Sequence, residues 1–140
     1  MSSPAAGYAG DLDPDQAWAL LQDDPDAQLV DVRTDAEWNF VGLPDLSSIG
    51  RTPITVSWNH YPSGHNDSFL DELRAAGVTQ DTTIVFLCRS GQRSQAAAQA
   101  ATAAGFTAWN VSEGFEGPLD DEGHRTVSGW QVRGLPWRQS

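Results

Sequence analysis

Short apolar runs alternate along this chain with longer stretches whose apolar residues recur at helical spacing. The clearest run is Thr83-Ile84-Val85-Phe86-Leu87, β-branched and uninterrupted, which predicts a buried strand. Weaker strand patterns occupy residues 28–32, 54–58 and 108–111. Between them, Asp13-Pro14 supplies an N-cap and a first-turn proline for a helix over 15–22, which stops before Pro25. Thr34 to Trp38 reads as a capped helical turn. Asn66 or Asp67 caps a helix over 68–76 that Gly77 ends, and an alanine-rich helix over 93–104 closes at Gly105. A last short helix is predicted over 127–133. Residues 1–10, rich in Ser, Ala, Gly and Pro, read as a flexible tail before a single domain over 11–140. Strand and helix alternate at spacings that suit parallel crossovers, so the predicted class is α/β: a central, mostly parallel sheet flanked by helices. Ligands of such sheets bind beyond the carboxyl ends of the strands. That directs attention to residues 31–37, 58–65, 88–94 and 111–117.

Charge narrows the choice of chemistry. Eight arginines and no lysine stand against 19 acidic residues, a formal charge of −11. This argues against a nucleic-acid surface, which needs clustered basic residues. No run approaches the ~20 apolar residues of a membrane span, and the first residues lack the pattern of a secretory signal. A single cysteine excludes an internal disulfide. A cytoplasmic protein is the expectation. The three histidines, His60, His65 and His124, are not spaced like a metal site, so no metal is expected.

That cysteine, Cys88, follows the strongest strand directly and precedes the alanine-rich helix. The end of a buried strand and the start of a helix both favour a thiolate. The loop Arg89-Ser90-Gly91-Gln92-Arg93-Ser94 can turn backbone N–H groups inward as an anion-binding nest, with Gly91 permitting the turn. Arg89 and Arg93 add forked cationic donors. The plainer alternative is a structural cysteine buried at a strand end. Cysteine phosphatases share the logic of thiolate, amide cradle and arginine, but place five residues between Cys and Arg. Here there are four. The tighter ring suits one sulfur atom better than a phosphoryl group, and an arsenate reductase would lack its resolving cysteine.

Three motifs in order carry a family resemblance. Leu87-Cys88-Arg89-Ser90-Gly91-Gln92-Arg93-Ser94 resembles the active-site loop of single-domain rhodaneses, the thiosulfate:cyanide sulfurtransferases. Val30-Asp31-Val32-Arg33 with Glu37 and Trp38 resembles their amino-terminal motif, and Ser128-Gly129-Trp130 with Gly134-Leu135-Pro136 their ending. The matches span residues 30–136. Val41-Gly42-Leu43-Pro44-Asp45-Leu46 and the connector from Trp58 to His65 depart from the family pattern. The resemblance implies a three-layer rhodanese-like fold and a sulfurtransferase that carries sulfur as a Cys88 persulfide. It also implies a small sulfur donor such as thiosulfate and a cyanide, thiol or protein acceptor, with no metal or organic cofactor. Rhodanese-like domains also occur as non-catalytic binding modules.

The remaining candidates surround the loop. Residues 89–94 are expected to bind substrate, with Arg89 facing it and Arg93 bracing the loop. Asp31, Arg33 and Glu37 are expected to support the site from behind, with Arg33 pairing Glu37. Trp58 and His60 are candidates for a wall above Cys88, and Glu113 to Gly117 for its rim. Of six tryptophans, Trp18, Trp38, Trp109 and Trp130 read as core anchors.

Overall fold

The apolar run at Thr83–Leu87 forms the middle of a five-stranded parallel sheet. In the computed structural model, which describes residues 7–60, 64–89, 91–117 and 129–138, the chain order is as follows. Strand β1 (Gly10–Leu12) leads into α1 (Pro14–Asp23), β2 (Gln28–Asp31), α2 (Asp35–Phe40) and β3 (Leu43–Pro44). Then come β4 (Ile54–Thr55), β5 (Asn59–His60), β6 (Gly64–His65), α3 (Phe69–Ala75) and β7 (Thr83–Leu87). Helix α4 (Gln92–Ala103), β8 (Thr107–Val111) and β9 (Trp137–Arg138) complete it. The sheet order is β1-β8-β7-β2-β4, while β3 pairs antiparallel with β9, and β5 with β6.

The period of two along β7 sorts the core into two layers. Ile84 and Phe86 face Phe69 and Leu73 of α3 and Ala97, Ala98 and Ala101 of α4. Val85 and Leu87 face Ala17 and Leu21 of α1, together with Phe115 and Trp130. Small alanines let α4 lie close on β7 and β8, which fixes the direction from which it approaches Cys88. Trp130 is fully buried, with Trp18 packed edge-on at 5.8 Å between ring centroids.

Local chemistry explains the helix starts. Asp13 accepts the Gln16 amide at 2.8 Å while the Gln16 side chain accepts the Asp13 amide, a reciprocal cap that satisfies two orphan donors. Thr34 and Glu37 repeat that arrangement at α2. Before α3, Asn66 takes the Ser68 amide and donates to the Ser57 carbonyl and to Glu72.

Several boundaries differ from the sequence-based expectation. Residues 1–6 lie outside the described set, but Tyr8 is buried and Gly10 already pairs with Trp109. The ladder of the fourth strand ends at Thr55, although Val56 and Trp58 still donate to Asp31 and Val32. Residues 127–128 of the last predicted helix are outside the described set; its remainder, 129–133, runs through successive turns.

Candidate functional site

Helix α4 begins where β7 ends, and Cys88 occupies the junction, 1% exposed. Gly91 is the N-cap of α4 at φ 101°. Only glycine adopts that φ without strain, and a Cβ there would overlap the Ser112 carbonyl oxygen. The turn points the Gly91 N–H at Cys88 Sγ, 3.1 Å away, and one turn of helix brings Ser94 Oγ to 3.2 Å from the same sulfur. An amide N–H and a hydroxyl therefore meet the sulfur from α4. The outer side of the loop is clasped by the segment after β8: Phe115 N–H donates to the Cys88 carbonyl at 2.8 Å. Glu116 and Gly117 N–H both donate to the Arg89 carbonyl at 3.0 Å. The Cys88 and Arg89 carbonyls are thus engaged by that segment, while the Gly91 N–H faces the sulfur.

The three arginines near Cys88 have different fates. Arg93 forms a two-point pair with Glu37 of α2, at 2.7 and 2.9 Å. Burial pushes the Glu37 carboxyl up, but hydrogen bonds and charge from Arg93 outweigh it and hold the group below the usual carboxylate range. The same Glu37 bond raises Arg93, against burial, with smaller help from the charges of Glu37, Cys88 and Asp31. Arg33 is wholly buried and binds Asp31 through Nε at 2.9 Å and Nη2 at 2.7 Å, with the Gly42 carbonyl as a further acceptor at 2.6 Å. Its guanidinium also lies 4.3 Å from the centre of the Phe115 ring. Arg89 is exposed, and its guanidinium has no hydrogen bond or ion pair among the described residues.

The expected Arg33–Glu37 pair is thus corrected. Residues 31 and 33 extend to the same side, so Arg33 folds onto Asp31, while the capping position of Glu37 aims its carboxylate at the start of α4. Gln92 is exposed at the first position of α4, and Ser90 lies outside the described residues. Trp58 packs edge-on against Phe69 at 4.9 Å and lines a cavity of about 260 Å3 with Asn66, Leu70 and Arg74, a lining that contains no residue of the Cys88 loop. The His60 side chain is outside the described set. Among the described residues no group of three His, Cys, Asp or Glu side chains is placed to hold a metal ion. No helix among them is long and apolar enough to cross a membrane.

Three residues were not anticipated. Asn110, on the Cys88 face of β8, meets Ser94 Oγ at 2.5 Å through its Oδ1 and donates through Nδ2 to Asp11 at 3.0 Å. Asp11 also accepts the Tyr8 hydroxyl at 2.8 Å. Burial first, then the Asp11 hydrogen bond and charge, push the Tyr8 phenol up to about 12. A polar residue within the strand pattern 108–111 was the available signal.

A parallel α/β sheet with a thiol on a tight loop at the end of its central strand defines the class. Residues 10–140 match the family model described as STR4 middle domain. The chain is 38% identical over 128 residues to the uncharacterized protein RC0915 of Rickettsia conorii, covering 88% of this chain and 92% of that protein. It is 28% identical over 123 residues to rhodanese-like domain-containing protein 4, chloroplastic, of Arabidopsis thaliana, covering 86% of this chain and 24% of that protein. Among solved structures, Rv0390 from M. tuberculosis superposes with a TM-score of 0.89 at 57% identity, covering 95% of this chain and 99% of that one. The polysulfide-sulfur transferase homodimer from Wolinella succinogenes shares the fold, with a TM-score of 0.66 at 24% identity over 93% of this chain and 78% of that one. The chain belongs to the rhodanese-like family.

Proposed function

We propose that the protein is a sulfurtransferase in which Cys88 carries a sulfane sulfur as a persulfide. The observation that carries this reading is the Gly91 N–H aimed at Sγ from the start of α4, with Ser94 Oγ 3.2 Å from the same sulfur. A backbone donor fixed in this way stabilises a sulfur anion without moving during the reaction. The thiolate attacks the outer sulfur of a donor such as thiosulfate. An S–S bond forms at Cys88, the donor's own S–S bond breaks, and its electron pair leaves on sulfite. An acceptor nucleophile, cyanide or a thiol, then attacks the terminal sulfur and regenerates the thiolate. Both leaving groups depart as anions, so the cycle runs without a strong general acid.

Two features favour sulfur transfer over phosphoryl transfer. The ring between Cys88 and Arg93 is short, and Arg93 is committed to Glu37 rather than free to clamp a phosphoryl oxygen. Arg89, exposed and uncommitted among the described residues, is assigned as the cation that meets an anionic donor. Asp31 and Arg33 are assigned to holding the strand end behind the loop.

Intact-mass measurement after thiosulfate treatment tests the reading. A gain of about 32 Da at Cys88, removed by cyanide with formation of thiocyanate, is expected. An unchanged mass without thiocyanate would refute it and favour a binding module. Turnover of an aryl phosphate would point to a phosphatase.

A further inference from the structure

Behind Cys88 lies a chain of side chains that the sulfur-transfer cycle, as written, leaves largely unused. It runs from Asp11 through Asn110 and Ser94 to Sγ, and three of its members, Asn110 (3% exposed), Ser94 (0%) and Cys88 (1%), are buried. Parallel pairing sets Asp11 directly beside Asn110. An ionised carboxylate only accepts hydrogen bonds. Asn110 must therefore turn its Nδ2 toward Asp11, which leaves Oδ1 facing Ser94 Oγ at 2.5 Å. That amide oxygen is again only an acceptor, so it draws the single hydroxyl hydrogen of Ser94. Yet Sγ, 3.2 Å from the same Oγ, is the second claimant for that hydrogen.

One hydrogen and two acceptors make the sulfur's protonation state depend on the chain's direction. A protonated Cys88 satisfies everything: S–H donates to Ser94, Ser94 to Asn110, and Asn110 to Asp11, while Gly91 N–H donates to sulfur. A thiolate instead meets a lone pair on Ser94 unless the hydroxyl rotates to face it. Rotation then leaves the buried Asn110 Oδ1 without its donor, a cost that the hydrogen bond to sulfur must offset.

We propose that Asp11 and Asn110 are positioning residues that hold the Ser94 hydroxyl hydrogen away from Cys88, so that forming the thiolate is coupled to rotation of that hydroxyl off Asn110. The proposal rests on Cys88 being the working nucleophile, but its readout is the thiolate itself and not sulfur transfer. The other charged or titratable groups around the chain stay fixed in the comparison. They are Arg93 from α4, held by Glu37 of α2 and in electrostatic contact with Cys88 and Asp31; Arg89 on the loop; and Tyr8, beside Asp11.

Because the chain has one cysteine, its ultraviolet thiolate absorbance against pH, less that of Cys88→Ser to remove the two tyrosines, reports Cys88. Asn110→Leu keeps the side chain's shape but removes the acceptor. The thiolate midpoint should fall by about one pH unit, a roughly tenfold rise in the thiolate-to-thiol ratio at fixed pH. Asp11→Ala frees the Asn110 amide to turn its nitrogen toward Ser94, and should move the midpoint the same way, by about threefold or more in that ratio. Tyr8→Phe leaves Asp11 as the acceptor and should stay within about twofold of the parent. In a Ser94→Ala background, neither Asn110→Leu nor Asp11→Ala should shift the midpoint further. A midpoint unmoved or raised in both single variants, or a shift that persists without Ser94, would overturn the proposal. If Asn110→Leu does not fold, Asp11→Ala with and without Ser94 decides the question. No sulfur uptake from thiosulfate, with these shifts in place, would count against the sulfur-transfer reading alone.

Discussion

Replacing Glu37 with glutamine keeps the shape of the α2 side chain but removes the charge that holds Arg93. The pair joins elements 56 residues apart in sequence through two hydrogen bonds, with side chains 24% and 18% exposed. Exposed pairs contribute about 0–1 kcal/mol, and removing one partner of a fully buried pair costs about 3–5 kcal/mol. This pair lies between those limits, so Glu37→Gln should destabilise the protein by about 2 kcal/mol at neutral pH. For a chain of this length that lowers Tm by about 7 °C. The acid side gives a sharper signature. The folded Glu37 carboxyl titrates below its ordinary value, so its contribution is complete above about pH 4.3 and is lost as pH falls through the folded value. The difference between parent and variant, measured by urea unfolding across pH, should therefore be largest near neutrality and shrink below about pH 4. Arg93→Met should cost a similar amount, and the double variant should cost much less than the sum. Equal stability of parent and Glu37→Gln at pH 7, or additive losses in the double variant, would refute the bracing role assigned to Arg93.

Cys88→Ser should abolish sulfur uptake from thiosulfate in intact-mass measurements and leave the circular-dichroism spectrum unchanged; retained turnover would remove Cys88 as nucleophile. Arg89→Ala should raise the KM for thiosulfate about tenfold, the scale of one charge-assisted hydrogen bond, with little effect on a neutral persulfide donor. Equal losses with both donors would contradict a substrate-facing cation. Gly91→Ala places a Cβ on the Ser112 carbonyl at a positive φ, so urea unfolding should show a loss of about 2–3 kcal/mol. Sulfur uptake should fall with it, because the displaced N–H is the one aimed at Sγ.

What could be read directly from the chain was local. The strand, the thiol, the glycine of the turn and the start of α4 are contiguous, so the order of residues 83–94 was enough to place Cys88 at a strand–helix junction beside the Gly91 turn. Helix caps at Asp13 and Thr34 were legible for the same reason, since each is closed within three residues. Partners that meet only through folding were not. Glu37 was available to either Arg33 or Arg93, and only the folded position of Arg93 at the start of α4 assigns it. The edge-on contact of Trp58 with Phe69 of α3 likewise forms only when the chain folds.

The relay behind the sulfur lies deepest beyond sequence reading, because it depends on register rather than residue type. Strand β1 is three residues long and begins at a glycine, too little for an alternating pattern to declare itself. Its pairing nonetheless decides which side chain stands beside Asn110. A slip of one residue would set Gly10 or Leu12 there instead and send Asp11 to the opposite face. Neither replacement offers a side-chain acceptor, so the Asn110 amide would be free to present either end to Ser94. The direction of the hydrogen bonds that reach Cys88 is thus set by a short edge strand far from it in sequence, and an assignment of sites drawn from the thiol loop alone would omit it.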